Sequence, residues 1–318
     1  MKKNALIIGF MLFSLILGGS VAMAGYPDKA ITYIIPFNPG GESDITARLQ
    51  EPVLEKVLDV PINVTHKPGG GGAVAWSEFQ RRAKPDGYTF IGVNIPHIIA
   101  QPILRKGAGY TTDGFNVVMW FQFTPNTLMV PINSPHKTLD DLIKFAKKHP
   151  MAVTIGGSGS NSANHLETLR LAKMADVKLT YIPQTGTGAL VPALLGGHIA
   201  GAMSYSMLGV QYKEKVRVLA VAAEERLDTM PDAPTFRELG YDIVGGAYRG
   251  IAVPKGTSPE IIDKLAKAFT ETNKKVAPKQ APLGFVLTYV TGDKANALTE
   301  QIKQNYAKII EELKSKKK

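Results

Sequence analysis

Four glycine-bearing segments carry the most suggestive chemistry in the chain: Pro39-Gly40-Gly41-Glu42-Ser43, Pro68-Gly69-Gly70-Gly71-Gly72, Gly156-Gly157-Ser158-Gly159-Ser160 and Thr185-Gly186-Thr187-Gly188. Each stands between a short apolar run and a stretch of helical period, so each is expected to open a helix whose first backbone N–H groups lack partners. Those groups and the helix dipole create a partial positive charge, and glycine removes the side chain that would hold a guest away. A carboxylate or other oxyanion fits there without a metal or a fixed cation. One such turn is ordinarily a tight connection and nothing more. Four at the same end of parallel strands point to a shared anion site, because ligands of open α/β sheets lie beyond the carboxyl ends of the strands.

Catalytic readings of the same residues are weaker. A nucleophile elbow needs glycine where Ser160 stands, and although His165 is close to Ser158 and Ser160 in sequence, no acid partner is identifiable. A dinucleotide fingerprint fails at Ser162, and no Gly-Lys-Ser/Thr phosphate loop is present. The six histidines show no metal-ligand spacing, and no cofactor motif is found. His165 and Asn164 fall in the first turns of a helix that starts at one of the glycine segments. A pocket role and a structural hydrogen bond are equally compatible with that position. Asp44 and Arg48, four apart on a helix, read first as an intrahelical ion pair. Asp44 is also placed to fix the Gly40-Gly41 turn.

The elements that position these turns alternate. Strands are expected at Ile31 to Phe37, Ile62 to His66, Tyr88 to Val93, Leu128 to Pro131, Ala152 to Ile155, Lys178 to Ile182, Ile199 to Met203 and Val216 to Ala222. Helices are expected at Ser43 to Val57, Ala73 to Ala83, Leu139 to His149, Ser162 to Ala175 and, after the turn Gln184 to Gly188, up to Leu195. Strand, glycine turn and helix in repeated order are the mark of parallel α/β units, and two such series predict two α/β lobes. Gly245 to Pro254 is long enough to cross between them. Thr257-Ser258-Pro259-Glu260 then opens a helix to Asn273, a short strand follows near Phe285 to Tyr289, and a helix from Asp293 to Leu313 closes the chain. Return of these last elements to the first lobe makes that lobe discontinuous: residues 25–125 plus 248–318 against 126–247, joined by two crossing strands.

Composition narrows the function class. The chain has 318 residues, 44% hydrophobic and 20% charged, which excludes a disordered protein. It has no cysteine, which excludes thiol catalysis, zinc–cysteine sites, iron–sulfur clusters and a lipid-modified N-terminal Cys. The formal charge is +10, but Lys2 and Lys3 belong to a targeting segment and Lys314, Lys316, Lys317 and Lys318 to a tail; without these six, +4 remains. No basic run interleaved with aromatics marks a nucleic-acid track. Residues 1–24 have a basic start, an apolar stretch from Ala5 to Leu17 and small residues ending Ala22-Met23-Ala24, the order of a secretory signal peptide cleaved after Ala24. The apolar stretch falls short of the ~20 residues that span a bilayer. A soluble periplasmic protein starting near Gly25 is the expectation.

Several motifs, taken together, resemble a known family. Tyr26-Pro27, Lys29, Ile34-Ile35-Pro36-Phe37, Pro39-Gly40-Gly41, Asp44 and Ala47-Arg48 are similar to the opening of the tripartite tricarboxylate transporter substrate-binding proteins, also called Bug receptors. The resemblance runs on through Lys67 to Gly72, Pro85-Asp86-Gly87-Tyr88-Thr89, Asn164-His165-Leu166, Tyr181-Ile182-Pro183, Gly186-Thr187-Gly188, Leu194-Leu195-Gly196-Gly197 and Val253-Pro254 with Gly256-Thr257. It implies a two-lobed periplasmic binding protein fold of type II-like architecture, monomeric and without enzymatic activity. The implied task is to capture a small organic carboxylate and deliver it to transporter membrane subunits, with hinge closure as the motion. Docking on a sensor kinase is the alternative use of the same binding event, and a secreted serine hydrolase a remote one. The resemblance also implies a site: Pro39, Gly40, Gly41, Ser43 and Asp44 on the first lobe, and Ser158, Ser160, Asn164 and the turn Thr185, Gly186, Thr187, Gly188 and Ala189 on the second. The glycine turns themselves add Gly70, Gly71 and Gly72, and the helix start after Ser160 adds His165, as candidate binding residues.

Three residues depart from the family pattern. Glu42 stands where relatives commonly carry a small residue, and either faces solvent or adds a charge that disfavours one class of anion. Ser204 stands where many relatives have Asp, the kind of residue that receives a ligand amino group, which favours a purely carboxylic or aromatic acid. Arg249, in the second crossing strand, either meets a distal carboxylate or is a surface charge at the hinge.

Overall fold

The computed structural model describes residues 25–315. The expected signal peptide and its cleavage point after Ala24 lie outside the described residues. Among those described, no helix is long and apolar enough to cross a membrane.

The first series is β1 (Ile31–Ile35), α1 (Glu42–Leu58), β2 (Ile62–His66), α2 (Ala73–Arg82), β3 (Thr89–Ile95) and α3 (His97–Leu104). β1 pairs in parallel with both β2 and β3. β4 (Phe115–Pro131) follows. The second series is α4 (Leu139–Lys148), β5 (Thr154–Gly157), α5 (Ala163–Met174), β6 (Thr180–Pro183), α6 (Thr187–Leu195), β7 (Gly201–Tyr205), α7 (Ser206–Gln211) and β8 (Val216–Val221). Here β5 pairs in parallel with β6 and β7. The chain ends with β9 (Gly246–Pro254), α8 (Pro259–Gln280), β10 (Val286–Thr291) and α9 (Gly292–Ser315).

β4 is what makes one protein of two lobes. Its first half lies between β9 and β10, its second half between β7 and β8, all antiparallel. Sequence reasoning finds only Leu128 to Pro131 of this strand. Gln122, Thr124, Asn126 and Thr127 interrupt the apolar pattern, yet all four are fully buried. The strand is covered on both faces, so alternation is absent; Gln122 accepts from Thr46 Oγ1 at 3.1 Å, while Gln122 Nε2, Asn126 Nδ2 and Thr127 Oγ1 are buried with no hydrogen-bond partner among the described residues. The second crossing runs beside Pro125: the Asn126 N–H donates to the Gly245 carbonyl at 2.9 Å. A Cβ on Gly246 would lie 2.2 Å from the Thr124 carbonyl oxygen, so the two crossing segments can touch only because this residue is glycine.

Helices cover both faces of each lobe. In the first, α1 and α8 pack on one side of the sheet around Tyr33, Phe90 and Phe269. On the other side α2, α3 and α9 pack around Trp76, Ile98 and Trp120. Phe90 and Phe269 are fully buried, and each such burial contributes roughly 1.5–3 kcal/mol. Trp76 donates its indole N–H to the Gly92 carbonyl at 2.9 Å. In the second lobe Leu142, Ile143, Leu171 and Met203 form one cluster, Leu190, Leu194 and Leu208 the other. α4 starts with a reciprocal box, Thr138 accepting from the Asp141 N–H and Asp141 from the Thr138 N–H. α8 is capped by Ser258 with Pro259 in its first turn, as its sequence requires. It runs seven residues past the expected stop at Asn273, because Val276 and Gln280 continue its buried face.

The closing elements return to the first lobe's sheet, where β10 pairs with β4, and they also touch the second lobe. The Ser206 hydroxyl donates to the Gly284 carbonyl at 2.8 Å, Phe285 packs among Met207 and Leu208, and Lys173 Nζ reaches the Glu312 carbonyl.

Candidate ligand-binding site

The carboxyl ends of β1, β2 and β3 from one lobe and of β5, β6 and β7 from the other meet between the lobes. The loops that leave β1, β2, β5 and β6 are the four glycine turns. The turns are pressed together in pairs. A Cβ on Gly188 would sit 2.1 Å from the Pro39 carbonyl oxygen, and one on Gly159 would sit 2.6 Å from Gly71 Cα. Gly186 faces Phe37 and Asn38 in the same way, at 3.1 and 3.2 Å. Only hydrogen at Gly188 and Gly159 lets the two lobes approach so closely.

The helix starts behind the turns are not alike. α1 has Gly41 and α6 has Gly186 as the residue before its first turn, and neither helix receives a side-chain cap. Their first N–H groups keep their partial positive charge. α5 is satisfied from within: Ser162 accepts from the His165 N–H at 3.3 Å, and the Asn164 side-chain carbonyl accepts from the Ser158 N–H at 3.0 Å and hydroxyl at 2.6 Å. Asn164 then donates to Asn126 on the crossing strand at 2.9 Å. The second-lobe turn at the start of α5 is thus tied to the crossing strand, while the starts of α1 and α6 carry no side-chain cap.

Between these elements lies a cavity lined by Phe37, Gly41, Glu42, Ser43, Asn94, His97, Ser158, Thr187, Tyr205 and Arg249. With the turns in contact it encloses only about 10 Å³, the room of a single water molecule. Of the residues marked from sequence, Gly41, Ser43, Ser158, Thr187 and Arg249 line it. Glu42 does too, 3% exposed, so it faces the cavity and not solvent. Arg249 is likewise 3% exposed and is no surface charge.

Other marked residues act around the cavity. The Gly40 N–H donates to Asp44 Oδ2 at 2.8 Å, and His66 Nε2 meets Asp44 Oδ1 at 2.7 Å. Asp44 therefore fixes the turn, and it also forms the expected ion pair with Arg48, at 3.5 Å. Pro39, Gly186 and Gly188 are lobe-to-lobe contacts, as are Gly71 and the Ser160 carbonyl. Gly70 lies by Arg105 and Gly72 against the Trp76 ring. Thr185 is exposed, and Ala189 donates its N–H to the Gly186 carbonyl at 3.2 Å. His165 stacks on Tyr181 with ring centroids 4.2 Å apart and accepts from the Asn161 N–H at 3.1 Å, the structural hydrogen bond of its two readings. Burial keeps its pKa below the ordinary histidine value. Ser204 is fully buried on β7, opposite Thr127 of β4, and does not line the cavity.

Electrostatics inside the cavity centre on one pair. Arg249 Nη2 lies 3.8 Å from Glu42 Oε2, its Nη1 donates to Thr124 Oγ1, and its guanidinium sits 4.7 Å above the Tyr205 ring centre. His97 is fully enclosed; burial, assisted by the Arg249 charge, pushes its pKa down to about 3, so it is neutral at physiological pH. Its Nε2 is 3.5 Å from the Tyr205 hydroxyl, whose own pKa burial lifts to about 12. Glu42 Oε1, Arg249 Nε and His97 Nδ1 are buried with no hydrogen-bond partner among the described residues.

Sequence reasoning missed Phe37, Asn94, His97 and Tyr205. The available signal was position: Asn94 and Tyr205 are at or next to the last residues of β3 and β7, and His97 opens the helix after β3. A larger depression of about 570 Å³ lies beside α4 and β8, lined by Lys137, Arg217, Met230 and others, away from every strand end that carries a marked residue. Among the described residues no cluster of His, Asp or Glu has the makeup of a metal site.

Residues 46–316 match the tripartite tricarboxylate transporter family receptor model. The chain is 34% identical over 245 residues to the UPF0065 protein in the gbd 5' region of Cupriavidus necator, covering 77% of this chain and 74% of that one. The solved structure of the periplasmic binding protein BugD superimposes with a TM-score of 0.83 at 27% identity, over 91% of this chain and 98% of the other. MatC from Rhodopseudomonas palustris, solved with bound malate, gives 0.84 at 26% identity, over 90% and 100%. With its two α/β lobes and opposed glycine turns, the chain belongs to the tripartite tricarboxylate transporter receptor family.

Proposed function

We propose that this chain is an extracytoplasmic solute-binding protein that captures a small organic carboxylate between its lobes and delivers it to the membrane subunits of a tripartite tricarboxylate-type transporter. The leader of residues 1–24 takes it to the periplasm, and the lobes are residues 25–125 with 248–318, and residues 126–247. The observation that carries the reading is the meeting of two uncapped helix starts, α1 and α6, from different lobes over one buried cavity. A carboxylate bridging them gains donors from both sides only when the lobes are together, so it stabilises the closed arrangement by differential contact. A cavity of about 10 Å³ admits an organic acid only after the lobes part, which makes hinge motion part of the mechanism. Malate bound to MatC supports a carboxylate guest in this fold.

Binding requires no covalent step. The Ser158 hydroxyl is held by Asn164 and His165 Nδ1 by the Asn161 N–H, so no serine–histidine pair is assembled among the described residues. The test is a thermal-shift screen of the mature protein against dicarboxylates, tricarboxylates, aromatic acids and amino acids, followed by calorimetry on the hits. A cognate acid raises the melting temperature by mass action; no shift with any acid would overturn the reading.

A further inference from the structure

Within the carboxylate-binding reading, on which this inference rests, the buried pair Glu42–Arg249 says more about the guest. Arg249 faces the cavity with its charge already matched by Glu42 at 3.8 Å and with Thr124 and the Tyr205 ring on its other sides. One donor of Arg249, Nε, and one acceptor of Glu42, Oε1, are left buried and unpartnered. They belong to side chains that line the same cavity and touch each other across it. The neighbouring His97 is neutral and adds no positive charge to offset Glu42. A guest that offers only carboxylate oxygens can satisfy Arg249 Nε but leaves Glu42 Oε1 unpaired and adds a second anion beside it. A guest with a hydrogen-bond donor next to its carboxylate satisfies both.

We propose that Glu42 is a specificity-determining residue and that the cleft selects acids carrying a hydroxyl or an amino group adjacent to the carboxylate. The donor is received by Glu42 Oε1, while the carboxylate is shared by Arg249 Nε and the free N–H groups at the start of α1. Ser204, which from sequence favours a guest without an amino group, does not line the cavity; Glu42 occupies the acceptor role from the opposite lobe.

The experiment is calorimetric titration of the wild type, Glu42→Gln and Glu42→Ala with matched series: succinate, malate and aspartate; glutarate, 2-hydroxyglutarate and glutamate; phenylacetate, mandelate and phenylglycine. Wild type is expected to bind a donor-bearing member of one series roughly 10- to 100-fold more tightly than its bare parent. In Glu42→Ala that ratio collapses towards unity. In Glu42→Gln an ammonium guest loses more than a hydroxyl guest, because the charge is gone but an acceptor remains, and this contrast identifies which donor the site takes. A merely structural role for Glu42 would weaken all members of a series alike; an unchanged ratio in both variants, or a bare acid that binds wild type as tightly as its substituted partners, overturns the proposal while leaving carboxylate capture intact. Binding by no acid in any series overturns the carboxylate reading and this inference with it.

Discussion

The two walls of the cleft differ in kind. The first lobe and the crossing strand contribute its buried charges, Glu42 and Arg249, with neutral His97 beside them. The second lobe contributes Ser158, Thr187 and Tyr205, all uncharged, and its turn is internally tied by Asn164. On the proposed reading one wall discriminates and the other closes. Charge on one side alone lets an open protein engage an acid first and shut a neutral, pre-organised surface over it, without a second set of charges to desolvate on closure.

The largest way to break this asymmetry is to remove the charge pair's cation. Arg249→Met leaves Glu42 buried and unpaired, with an expected loss of about 3–5 kcal/mol in urea denaturation and loss of acid binding. The double variant with Glu42→Gln should recover most of that stability but not the affinity, which separates folding from recognition. Gly188→Ala attacks the closing wall. The added Cβ meets the Pro39 carbonyl at 2.1 Å only when the lobes touch, so the unliganded melting temperature should stay near wild type while affinity drops about 100-fold, roughly 2.7 kcal/mol.

The second lobe does hold a buried charge, but it lies at the crossing and not in the cavity. Glu167 is fully buried beside Gly245, and burial pushes its pKa from 4.5 up to about 7 although Arg170, 3.0 Å away, pulls it down. Between these values the unfolded chain gives up the proton that the folded chain keeps, so this group's contribution to stability is greatest below about pH 4.5 and declines as pH rises towards 7. Relative to Glu167→Gln, wild type should lose roughly 1–3 kcal/mol over that window, measured by denaturation at stepped pH. The smallest effect is expected at the turn: Asp44→Ala removes the acceptor of the Gly40 N–H and the partner of His66, at a cost of about 1 kcal/mol, with affinity lowered by a loosened α1 start.

How much of this was legible beforehand follows the same division. The alternating strands and helices, the four glycine turns and the Asp44–Arg48 pair were readable, because local periodicity and backbone demands fix them. β4 was not, because a strand covered on both faces loses its alternation, and Gln122, Thr124 and Asn126 sit in its middle as buried polar residues. The positions of Glu42, His97 and Tyr205 in one cavity were not readable either: Glu42 and His97 follow the paired strands β1 and β3 of one lobe, and Tyr205 ends β7 of the other, which β4 joins to it. Conversely, His165 drew attention through its nearness to serines in sequence, and the fold uses it to pin Asn161.

The most direct test is a distance between the lobes. The chain has no native cysteine, so spin labels on Lys56→Cys of α1 and Lys147→Cys of α4, both exposed, report lobe separation without background. Pulsed electron resonance should show a broad or two-peaked distribution without acid, collapsing to a single narrow distance when the tightest-binding acid is added. A distribution that the bound acid leaves unchanged would contradict capture by closure.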